Sequence, residues 1–423
     1  MEPLYYHSTP FPGKLTVKTT KAMNSIKDLS LAYSPGVAEP CIEIAEKPAD
    51  VYKYTNKGNM VAVISNGTAV LGLGNIGAMA SKPVMEGKAV LFNKFAGVEA
   101  IDICVDAPDM HDFVKVVRHL GPSFGGINLE DIKGPDCFYI EETLKKEMDI
   151  PVFHDDQHGT AIVVLAGLIN ALEITGKKKE EVKLIMNGAG SAGQACMKLI
   201  YDYGFDPDNC IMCDTRGVIY KGRAKGMNPY KEKFANKSDS KRTLLDAFHG
   251  ADIAIGLSQA GSFTPEMVSV MAENPILFTL ANPEPEIRPA KAYDVREDLI
   301  IATGRSDYPN QVNNVMCFPF LFRAALDTRS TEINEPMKMA CATALAEMAR
   351  RPVPDVVKRA YNGIDVEFGR EYIVPSIFDP DLLSTIPIAV AKAAMESGVA
   401  RQHIEDWRAY DFELRSRVMH THF

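Results

Sequence analysis

Val182-Lys-Leu-Ile-Met-Asn-Gly-Ala-Gly-Ser-Ala-Gly193 is the stretch that decides the fold. It predicts a strand that runs into a glycine-rich turn, then a helix to about Tyr203 and a second strand that ends at Asp214. Such a turn lets the backbone approach a pyrophosphate, which the free N–H groups at the helix N-terminus bind. The stretch therefore predicts a Rossmann-type dinucleotide site, with cofactor-binding candidates Gly188, Gly190, Ser191, Ala192 and Gly193.

The residues after this motif bear on which nicotinamide cofactor binds. Asp214 would bind the 2′-hydroxyl of the adenosine ribose in an NAD enzyme. The basic residues that follow would instead hold a 2′-phosphate, or they would form a solvated loop. They are Arg216, Lys221, Arg223, Lys225, Lys231 and Lys233. From these residues alone, NAD and NADP both remain open.

Helices and strands alternate on both sides of the glycine turn, which predicts an α/β fold with largely parallel sheets. Residues 1–158 are predicted to form an N-terminal α/β domain for substrate and metal. Residues 159–325 are predicted to form a doubly wound, Rossmann-type domain for the dinucleotide. Residues 326–423 are predicted to form a helical C-terminal segment.

Local patterns add finer expectations for the N-terminal domain. Asn66-Gly67 lies within 61–71 and indicates a β-hairpin, because this pair adopts the positive φ angles of a two-residue turn. Gly72–Gly77 is a second, weaker glycine match, and Pro83 is expected to interrupt the helix after it. Residues 98–106 are expected to form a buried strand.

The two ends of the chain also carry expectations. Residues 1–30 are expected to form an extended arm with at most one helix, and Tyr33, in the turn after it, reads as a half-buried loop residue or a functional one. Prolines past 320, Pro387 among them, are expected to mark joints between helices. Residues 399–417 are expected to form one amphipathic helix.

Composition limits the class of protein. The 423 residues are 46% hydrophobic with a net charge of −9, which indicates a globular protein and no nucleic-acid surface. No segment is expected to supply the roughly 20 apolar residues that span a membrane, and no signal peptide is evident, so we expect a cytoplasmic protein. The eight cysteines are scattered, and Cys210 and Cys213 are expected to be core thiols on opposite faces of a strand.

Two acidic pairs follow short apolar runs. Glu130 and Asp131 end the run Asn128-Leu-Glu-Asp131, and Asp155 and Asp156 lie within Pro151–Thr160. Carboxylates that converge from two strand ends suit a hard divalent cation such as Mg²⁺ or Mn²⁺. The sequence therefore predicts a metal site between the two pairs.

His154 and His158 allow a different interpretation of the same stretch. Their spacing resembles the zinc-protease pattern His-Glu-x-x-His, which predicts a metallohydrolase. However, Asp155 is shorter than the glutamate base of that pattern. Pro151-Val-Phe153 also reads as a strand, and two histidines share a face only on a helix.

A metal site beside a nicotinamide site suits a 2-hydroxy acid whose oxidation gives a β-keto acid, because a metal stabilises the enolate left by loss of CO₂. The motifs together resemble malic enzyme of the bacterial short-subunit type, from about residue 14 to 400. They are Tyr33–Val37, Leu71–Gly77, Gly87-Lys88, Asn128–Asp131, Phe153–Thr160 and Gly188–Gly193. The resemblance implies oxidative decarboxylation of L-malate to pyruvate and CO₂.

The resemblance also implies roles for individual residues. Glu130, Asp131 and Asp156 match the metal ligands, and Asp155 matches a carboxylate beside the metal and Lys88. Lys88 matches the general base, with Lys94 as an alternative, and its pKa is expected to fall by about three units through burial beside a cation. Tyr33 matches the acid that protonates the enolate.

Other positions concern substrate and cofactor. Asn282 and Asn314 match residues that contact malate and the nicotinamide side, and Lys231 matches a lysine of NADP-preferring relatives, which favours NADP over NAD. Ala69 departs from the larger eukaryotic enzymes, which carry a carboxylate-binding arginine there. The groups that hold the malate carboxylates are therefore left open.

Family members are homodimers or larger homo-oligomers, and some bacterial members continue into a phosphotransacetylase-like domain that responds to acetyl-CoA. The N-terminal arm suits subunit contact. Two rival functions remain: a malolactic enzyme, which makes lactate from malate with bound NAD, and a nucleotide sensor without catalysis.

Overall fold

The computed structural model describes residues 2–237, 240–361 and 365–419. Its strands form two separate sheets, one of four strands and one of six. The strands are β1 Met60–Ser65, β2 Glu99–Cys104, β3 Gly126–Leu129, β4 Val152–His154, β5 Leu184–Asn187, β6 Cys210–Asp214, β7 Gly217–Val218, β8 Ile253–Gly256, β9 Ile276–Thr279 and β10 Ile300–Thr303.

Helices cover both sheets and make up most of the C-terminal part. The N-terminal helices are α1 Pro3–Ser8, α2 Ile26–Ala32, α3 Ala38–Glu46, α4 Val51–Tyr54, α5 Ala78–Ala96, α6 Met110–His119, α7 Asp136–Glu147 and α8 Asp155–Thr175. Those of the second sheet are α9 Ser191–Tyr203, α10 Pro229–Glu232, α11 Leu244–Phe248, α12 Pro265–Ser269 and α13 Pro289–Tyr293. The C-terminal helices are α14 Phe318–Asp327, α15 Glu335–Ala349, α16 Asp355–Ala360, α17 Leu382–Glu396 and α18 Trp407–Met419.

The four-stranded sheet has the order β2-β1-β3-β4, and every pair in it is parallel. Parallel strands end at the same edge, so the loops after β1, β3 and β4 lie side by side. The expectation of a buried strand at 98–106 was wrong in its burial, because β2 is an edge strand whose residues are exposed or half-buried.

The predicted hairpin at Asn66-Gly67 was also wrong. β1 ends at Ser65 and pairs in parallel with β2 and β3, so it is a central strand without a hairpin partner. Gly67 does adopt a positive φ of 68°, but it begins a loop rather than a hairpin. The loop closes on itself, because the N–H groups of Ile76 and Gly77 donate to the carbonyl of Gly67. The sequence therefore predicted the positive φ of Gly67 correctly but assigned it to the wrong kind of turn.

Pro83 does not interrupt a helix. It lies in the second turn of α5, which begins at Ala78 and continues to Ala96. Proline lacks an N–H donor and therefore costs one hydrogen bond inside a helix. The apolar face of α5, with Met85, Ala89 and Phe92 fully buried, compensates for that loss.

The six-stranded sheet has the order β10-β9-β8-β5-β6-β7 and is parallel except for the short last strand. β5 lies at its centre and leads into α9, as predicted for a Rossmann-type sheet. Cys210 and Cys213 are buried on opposite sides of β6, in two different hydrophobic clusters. They are core thiols, as expected.

Helix α8 connects the two sheets. It begins directly after β4, five residues before the apolar run at Thr160, and it packs against α9 and α15. Contrary to expectation, it is long and apolar enough to cross a membrane, but 72% of its apolar window is buried inside the protein. Residues of both sheets, such as Phe153 and Phe278, join it in one continuous core.

Three expectations for the ends of the chain need correction. The first 32 residues contain two helices, α1 and α2, rather than at most one. Pro387 lies inside α17 and does not mark a joint. The last helix begins only at Trp407, because residues 399–406 are not helical. The fold is otherwise the predicted one, two parallel α/β sheets followed by helices.

Candidate active site

The two acidic pairs lie at the carboxyl edge of the four-stranded sheet. Glu130 and Asp131 follow β3, and Asp155 and Asp156 form the first turn of α8 directly after β4. β3 and β4 are neighbours, with Leu129 opposite His154 in the parallel register. The backbone N–H of Asp131 donates to Asp156 Oδ2 at 2.7 Å. The predicted convergence of the two pairs is therefore present.

Lys88 is the positive charge at the centre of this cluster. It extends from α5, and its Nζ lies 2.6 Å from Asp155 Oδ2 and 2.8 Å from Glu130 Oε1. The ring of Phe318 packs under the ammonium, with its centroid 4.3 Å from Nζ. Lys94, the alternative base, lies on the same helix but is exposed. Of the two lysines, Lys88 is the one that faces the acids.

The expected fall in the pKa of Lys88 depends on a bound divalent cation and stays a prediction, while the contacts within the protein act in the opposite direction. Burial by itself lowers the pKa of this lysine, but the carboxylates of Asp155 and Glu130 outweigh burial and raise it. A divalent cation bound by the acids would oppose this effect of the two carboxylates on Lys88. In this structure Lys88 is a protonated counter-ion.

All four carboxyl groups have raised pKa values. Burial is the largest cause in each case, and it raises the pKa of Asp155 to about 7. Repulsion between neighbouring acids adds to burial for Glu130, Asp131 and Asp156, while Lys88 acts in the opposite direction. Three buried acids and the half-buried Asp156 share a single cation. The cluster therefore has excess negative charge, which a divalent cation would neutralise.

The donor atoms fit such an ion. Asp131 Oδ2 and Asp155 Oδ1 are buried without a hydrogen-bond partner, which is unusual for carboxylate oxygens. All donors are oxygens, the kind that Mg²⁺ and Mn²⁺ prefer. Within the described part of the chain, no three His, Cys, Asp or Glu side chains are already gathered as a ligand set. Lys88 instead holds Glu130 and Asp155 towards itself.

Asn314 and Gly159 fix the position of Asp155. Asn314 Nδ2 donates to Asp155 Oδ2 at 2.5 Å, which ties the loop after β10 to the acid cluster. Asp155 folds back over its own helix, and a Cβ on Gly159 would lie 1.9 Å from Asp155 Oδ1. Glycine at 159 therefore makes room for the carboxylate.

Asp131 is held in an unusual backbone conformation. Its φ is +54°, a region that residues with a side chain rarely adopt and that is often found at functional sites. Its carbonyl accepts from the N–H of Ala69, and Thr68 Oγ1 accepts from the N–H of Lys133. The loop after β1 thus supports the loop that carries Glu130 and Asp131.

The two histidines do not share a ligand position. His154 is the last residue of β4, and both of its ring nitrogens are buried without hydrogen bonds. His158 lies on α8, where Lys338 Nζ donates to its Nδ1 at 3.1 Å and its Nε2 donates to Glu141 at 2.8 Å. A zinc-protease arrangement is therefore wrong for this stretch.

Glu141 and Lys338 are site residues that the sequence analysis missed. Glu141 is fully buried and also accepts from the backbone N–H of His154 at 3.3 Å, so it holds the corner between β4 and α8. Lys338 and Glu141 both bond to His158, which lies in the first turn of α8 together with Asp155 and Asp156. Glu141 and Lys338 both lie on buried helix faces. A charged residue among the apolar residues of a helix was therefore the sequence signal that could have identified them.

Tyr33 is not part of this cluster. It is the C-cap of α2, 71% exposed rather than half-buried, and within the described residues its side chain makes no hydrogen bond. It lies among exposed apolar side chains of the N-terminal segment, namely Leu4, Tyr5, Phe11, Val17, Met23, Ile26, Leu29, Leu31, Val37 and Ile42. The structure brings Lys88 to the acids and leaves Tyr33 on the surface.

The glycine turn has the geometry predicted for a dinucleotide site. Gly188 has a φ of +130°, and a Cβ there would lie 2.3 Å from the carbonyl of Leu257. A Cβ on Gly193 would lie 1.8 Å from the carbonyl of Gly188, so only glycine lets α9 start this close to β5. Gly190, Ser191 and Ala192 complete the turn and the first residues of the helix.

A cavity of about 820 Å³ opens beside this turn, lined by Gly188–Gly190, Asp214, Arg216, Lys231, Arg242 and the Ser258–Ser262 loop. Asp214 makes ion pairs with Arg223 and Lys231, which hold its pKa far below the usual range. Asn282 follows β9 and is exposed, and its carbonyl approaches Gly72 of the N-terminal domain. Asn282 therefore lies where the two sheets meet.

Comparison with known proteins agrees with this geometry. Residues 12–145 match the malic enzyme N-terminal domain, and residues 157–358 match the malic enzyme NAD binding domain. A relative named NADP-dependent malic enzyme from Halomonas elongata is 55% identical over 399 residues, which cover 94% of each chain. The chain belongs to the malic enzyme family.

Solved and curated malic enzymes extend the match. The crystal structure of malic enzyme from Pyrococcus horikoshii is 41% identical, with a TM-score of 0.90 and coverage of 98% of this chain and 95% of that one. The NADP-dependent malic enzyme of Rhizobium meliloti is 59% identical over 98% of this chain. The chain spans only about half the length of that relative and of several others, 54% in this case.

Proposed function

We propose that this protein catalyses the metal-dependent oxidative decarboxylation of L-malate to pyruvate and CO₂, with reduction of NADP. The observation that carries the proposal is the cluster of Lys88 with four acids, because these are the residues whose roles the malic enzyme resemblance implies. The cluster combines a lysine that can exchange a proton with carboxylate oxygens that suit a divalent cation.

The roles of the residues follow from their contacts. Glu130, Asp131 and Asp156 would bind Mg²⁺ or Mn²⁺, which when bound supplies charge stabilisation to the oxygens of the substrate. Asp155 lies against Lys88 and Asn314 and orients both. Lys88 would accept the proton of the malate hydroxyl. Asn314, which donates to Asp155, and Asn282, whose carbonyl lies close to Gly72, would contact malate and the nicotinamide.

We further propose NADP as the preferred oxidant, with NAD as a poorer one. Malic enzyme relatives at 55–59% identity are named NADP-dependent, and the cavity beside Asp214 is rich in basic side chains. A relative at 52% identity is named NAD-dependent. The preference therefore rests on local residues rather than on the fold.

We infer that the enzyme is a homodimer or a larger homo-oligomer, assembled through the N-terminal segment. At least ten apolar side chains of residues 4–42 are exposed, far more than scattered surface residues account for. Tyr33 lies within this segment and is itself 71% exposed. It would therefore serve as the acid for the enolate at a partner's site rather than in its own cluster.

We also propose the division into a substrate and metal domain at 1–158, a dinucleotide domain at 159–325 and a C-terminal segment from 326, together with a cytoplasmic location. The two family matches, which meet between residues 145 and 157, support the first boundary. Burial of α8 in the core supports the location, because α8 is the helix that could otherwise cross a membrane.

Product analysis tests the proposal. Purified protein with L-malate, Mn²⁺ and NADP is expected to form pyruvate and NADPH in equal amounts, and omission of the metal is expected to stop both. Malolactic chemistry is a second candidate, because a relative at 51% identity is named a bifunctional malic/malolactic enzyme. Lactate without net NADPH would establish that chemistry and contradict our proposal.

A further inference from the structure

Asp214 has no free hydrogen-bonding capacity for a ribose. Arg223 Nη1 donates to its Oδ1 at 2.9 Å, and Arg223 Nη2 and Lys231 Nζ donate to its Oδ2 at 2.5 and 2.7 Å. The backbone N–H of Arg216 adds a further bond to Oδ1 at 2.9 Å. A carboxylate that recognises the ribose of NAD must accept from its hydroxyls, and both oxygens of Asp214 are already occupied.

The ammonium group of Lys231 also has its hydrogen-bond partners within the protein. Its Nζ donates to Asp214 and also to the carbonyl of Gly226 at 3.1 Å. Lys231 therefore compensates the charge of Asp214 and anchors the loop between β7 and α10. Although Lys231 lines the cavity, its positive charge is largely neutralised by Asp214.

Arg216 and Arg242 are the two guanidinium groups that line the same cavity. Within the described residues, neither makes an ion pair with a carboxylate. Arg216 lies along Gly226, where a Cβ would come within 2.9 Å of its Cδ. Arg242 lies over the ring of Tyr220 at 4.0 Å. Arg242 Nη1 also donates to the carbonyl of Lys241 at 2.9 Å. Stacking on the ring orients the guanidinium, and its remaining N–H groups can bind a phosphate.

The backbone fixes these two arginines relative to each other. Val218 N–H donates to the carbonyl of Arg242 at 2.9 Å, and a Cβ on Gly217 would lie 2.2 Å from that same carbonyl. The turn that carries Arg216 is therefore packed directly on the backbone of Arg242. Thr243, the next residue, is held in turn by a reciprocal capping box with Asp246.

We propose that Arg242 binds the 2′-phosphate of NADP together with Arg216, and that Asp214 acts as a positioning residue that anchors this wall instead of binding the ribose. The inference rests on the proposed use of NADP. It names Arg242 as a residue that determines cofactor specificity, and it assigns Arg223 and Lys231 to Asp214 rather than to the phosphate.

Two small nucleotides separate this assignment from the function as a whole. 2′,5′-ADP carries the 2′-phosphate and 5′-AMP does not, so their affinity ratio, measured by isothermal titration calorimetry, isolates that group without catalysis. Charge-assisted bonds to a phosphate predict a ratio on the order of 100 for the wild-type protein. Arg242→Leu is expected to lower the ratio at least about tenfold while 5′-AMP binds as before.

Lys225→Leu is the matched control, because it removes one positive charge from the loop between β7 and α10, at a residue that does not line the cavity. It is expected to change the ratio less than about threefold. Arg242→Lys keeps the charge but lacks the fork of donors, and it is expected to recover only part of the ratio. Unchanged 5′-AMP affinity in each variant confirms that the site is folded.

Asp214→Asn tests the positioning role. If Asp214 recognised the ribose, this variant would lose affinity for 5′-AMP, whereas a counter-ion predicts that 5′-AMP binds within about threefold of wild type. An unchanged ratio in Arg242→Leu would overturn the assignment of Arg242 and leave the use of NADP intact. Equal binding of both nucleotides by the wild type would overturn the preference for NADP itself, and this inference with it.

Discussion

Lys88 Nζ contacts Asp155 Oδ2 at 2.6 Å, and both side chains are buried. The carboxylates around Lys88 raise its pKa, so the ammonium form is the stable one in the structure described here. A lysine in that state is a poor base. A positive charge added at the carboxylates would lower the pKa of Lys88, because a nearby cation disfavours the ammonium form. Under the proposed function, proton transfer from malate is therefore expected to depend on occupation of the acid cluster.

Lys88→Ala is expected to lower kcat by about 10²- to 10⁴-fold, because it removes the group that exchanges the hydroxyl proton. Lys94→Ala, on the same helix, is the matched control and is expected to retain near-normal kcat. Steady-state kinetics with malate and NADP measure both, and 2′,5′-ADP binding checks that the dinucleotide site is intact. Loss of activity in Lys94→Ala alone would transfer the role to Lys94.

Asp156→Asn is expected to weaken Mn²⁺ binding at least tenfold and to abolish Mn²⁺-dependent formation of NADPH. The variant keeps the size of the side chain and removes one charge from the ligand set. Electron paramagnetic resonance of free Mn²⁺ measures the affinity directly. Asp112→Asn, an exposed acid on α6, serves as the control. Unaltered Mn²⁺ affinity in Asp156→Asn would remove Asp156 from the site.

Tyr33→Phe and Lys88→Ala are each expected to be inactive alone and to complement each other when the subunits are mixed. If Tyr33 acts at a partner's site, a mixed dimer has one site with both residues intact and one with neither. Random mixing of equal amounts then gives about a quarter of wild-type activity, because half of the dimers are mixed and each has one good site. No activity after subunit exchange would place both residues within one subunit.

Leu29→Glu is expected to shift the protein from dimer to monomer. Leu29 is exposed on α2, within the apolar N-terminal surface, and a buried unpaired carboxylate in an interface is costly. Sedimentation velocity measures the change in mass. Val116→Glu, an exposed apolar residue on α6, is the control. A Leu29→Glu protein that remains dimeric would exclude this surface as the subunit contact.

Lys57 gives a pH dependence of stability. Its ammonium donates to the carbonyls of Gly121 and Phe124, and burial lowers its pKa to about 8. Between pH 8 and about 10.4 the unfolded chain holds a proton that the folded protein does not, so this lysine makes the protein more stable as the pH rises.

The difference in the free energy of unfolding between wild type and Lys57→Met is expected to increase by on the order of 1 kcal/mol when the pH rises from 7.5 to 9.5. Urea titrations of both proteins at the two pH values measure it. A difference that stays constant would mean that Lys57 keeps its proton across this range.

The parts of the fold that the sequence predicted are those with a strong local signal. The glycine turn Gly188–Gly193, between a strand and a helix, predicted the second sheet. The acidic pairs from Glu130 to Asp156 predicted the sheet edge where the acids meet. Both signals are local because a glycine turn and a strand end each require particular residues at fixed positions.

The errors arise where distant packing decides. Asn66-Gly67 is a hairpin signal, but β1 is enclosed by two parallel partners from later in the chain. Pro83 is tolerated because α5 buries one face against the sheet. The pKa of Lys88 depends on Asp155 and Glu130, which are 67 and 42 residues away, and no local pattern reports that contact.

Helix α8 has a consequence for engineering this protein. Its 21 residues form a rod about 31 Å long. One end carries Asp155 and Asp156, while its length packs against α9, which begins at the dinucleotide turn. A chimera that joins the first half of one malic enzyme to the second half of another must therefore inherit α8 and α9 from the same parent. A crossover at Thr160 would divide the rod, whereas one near residue 149, in the loop before β4, would keep it whole.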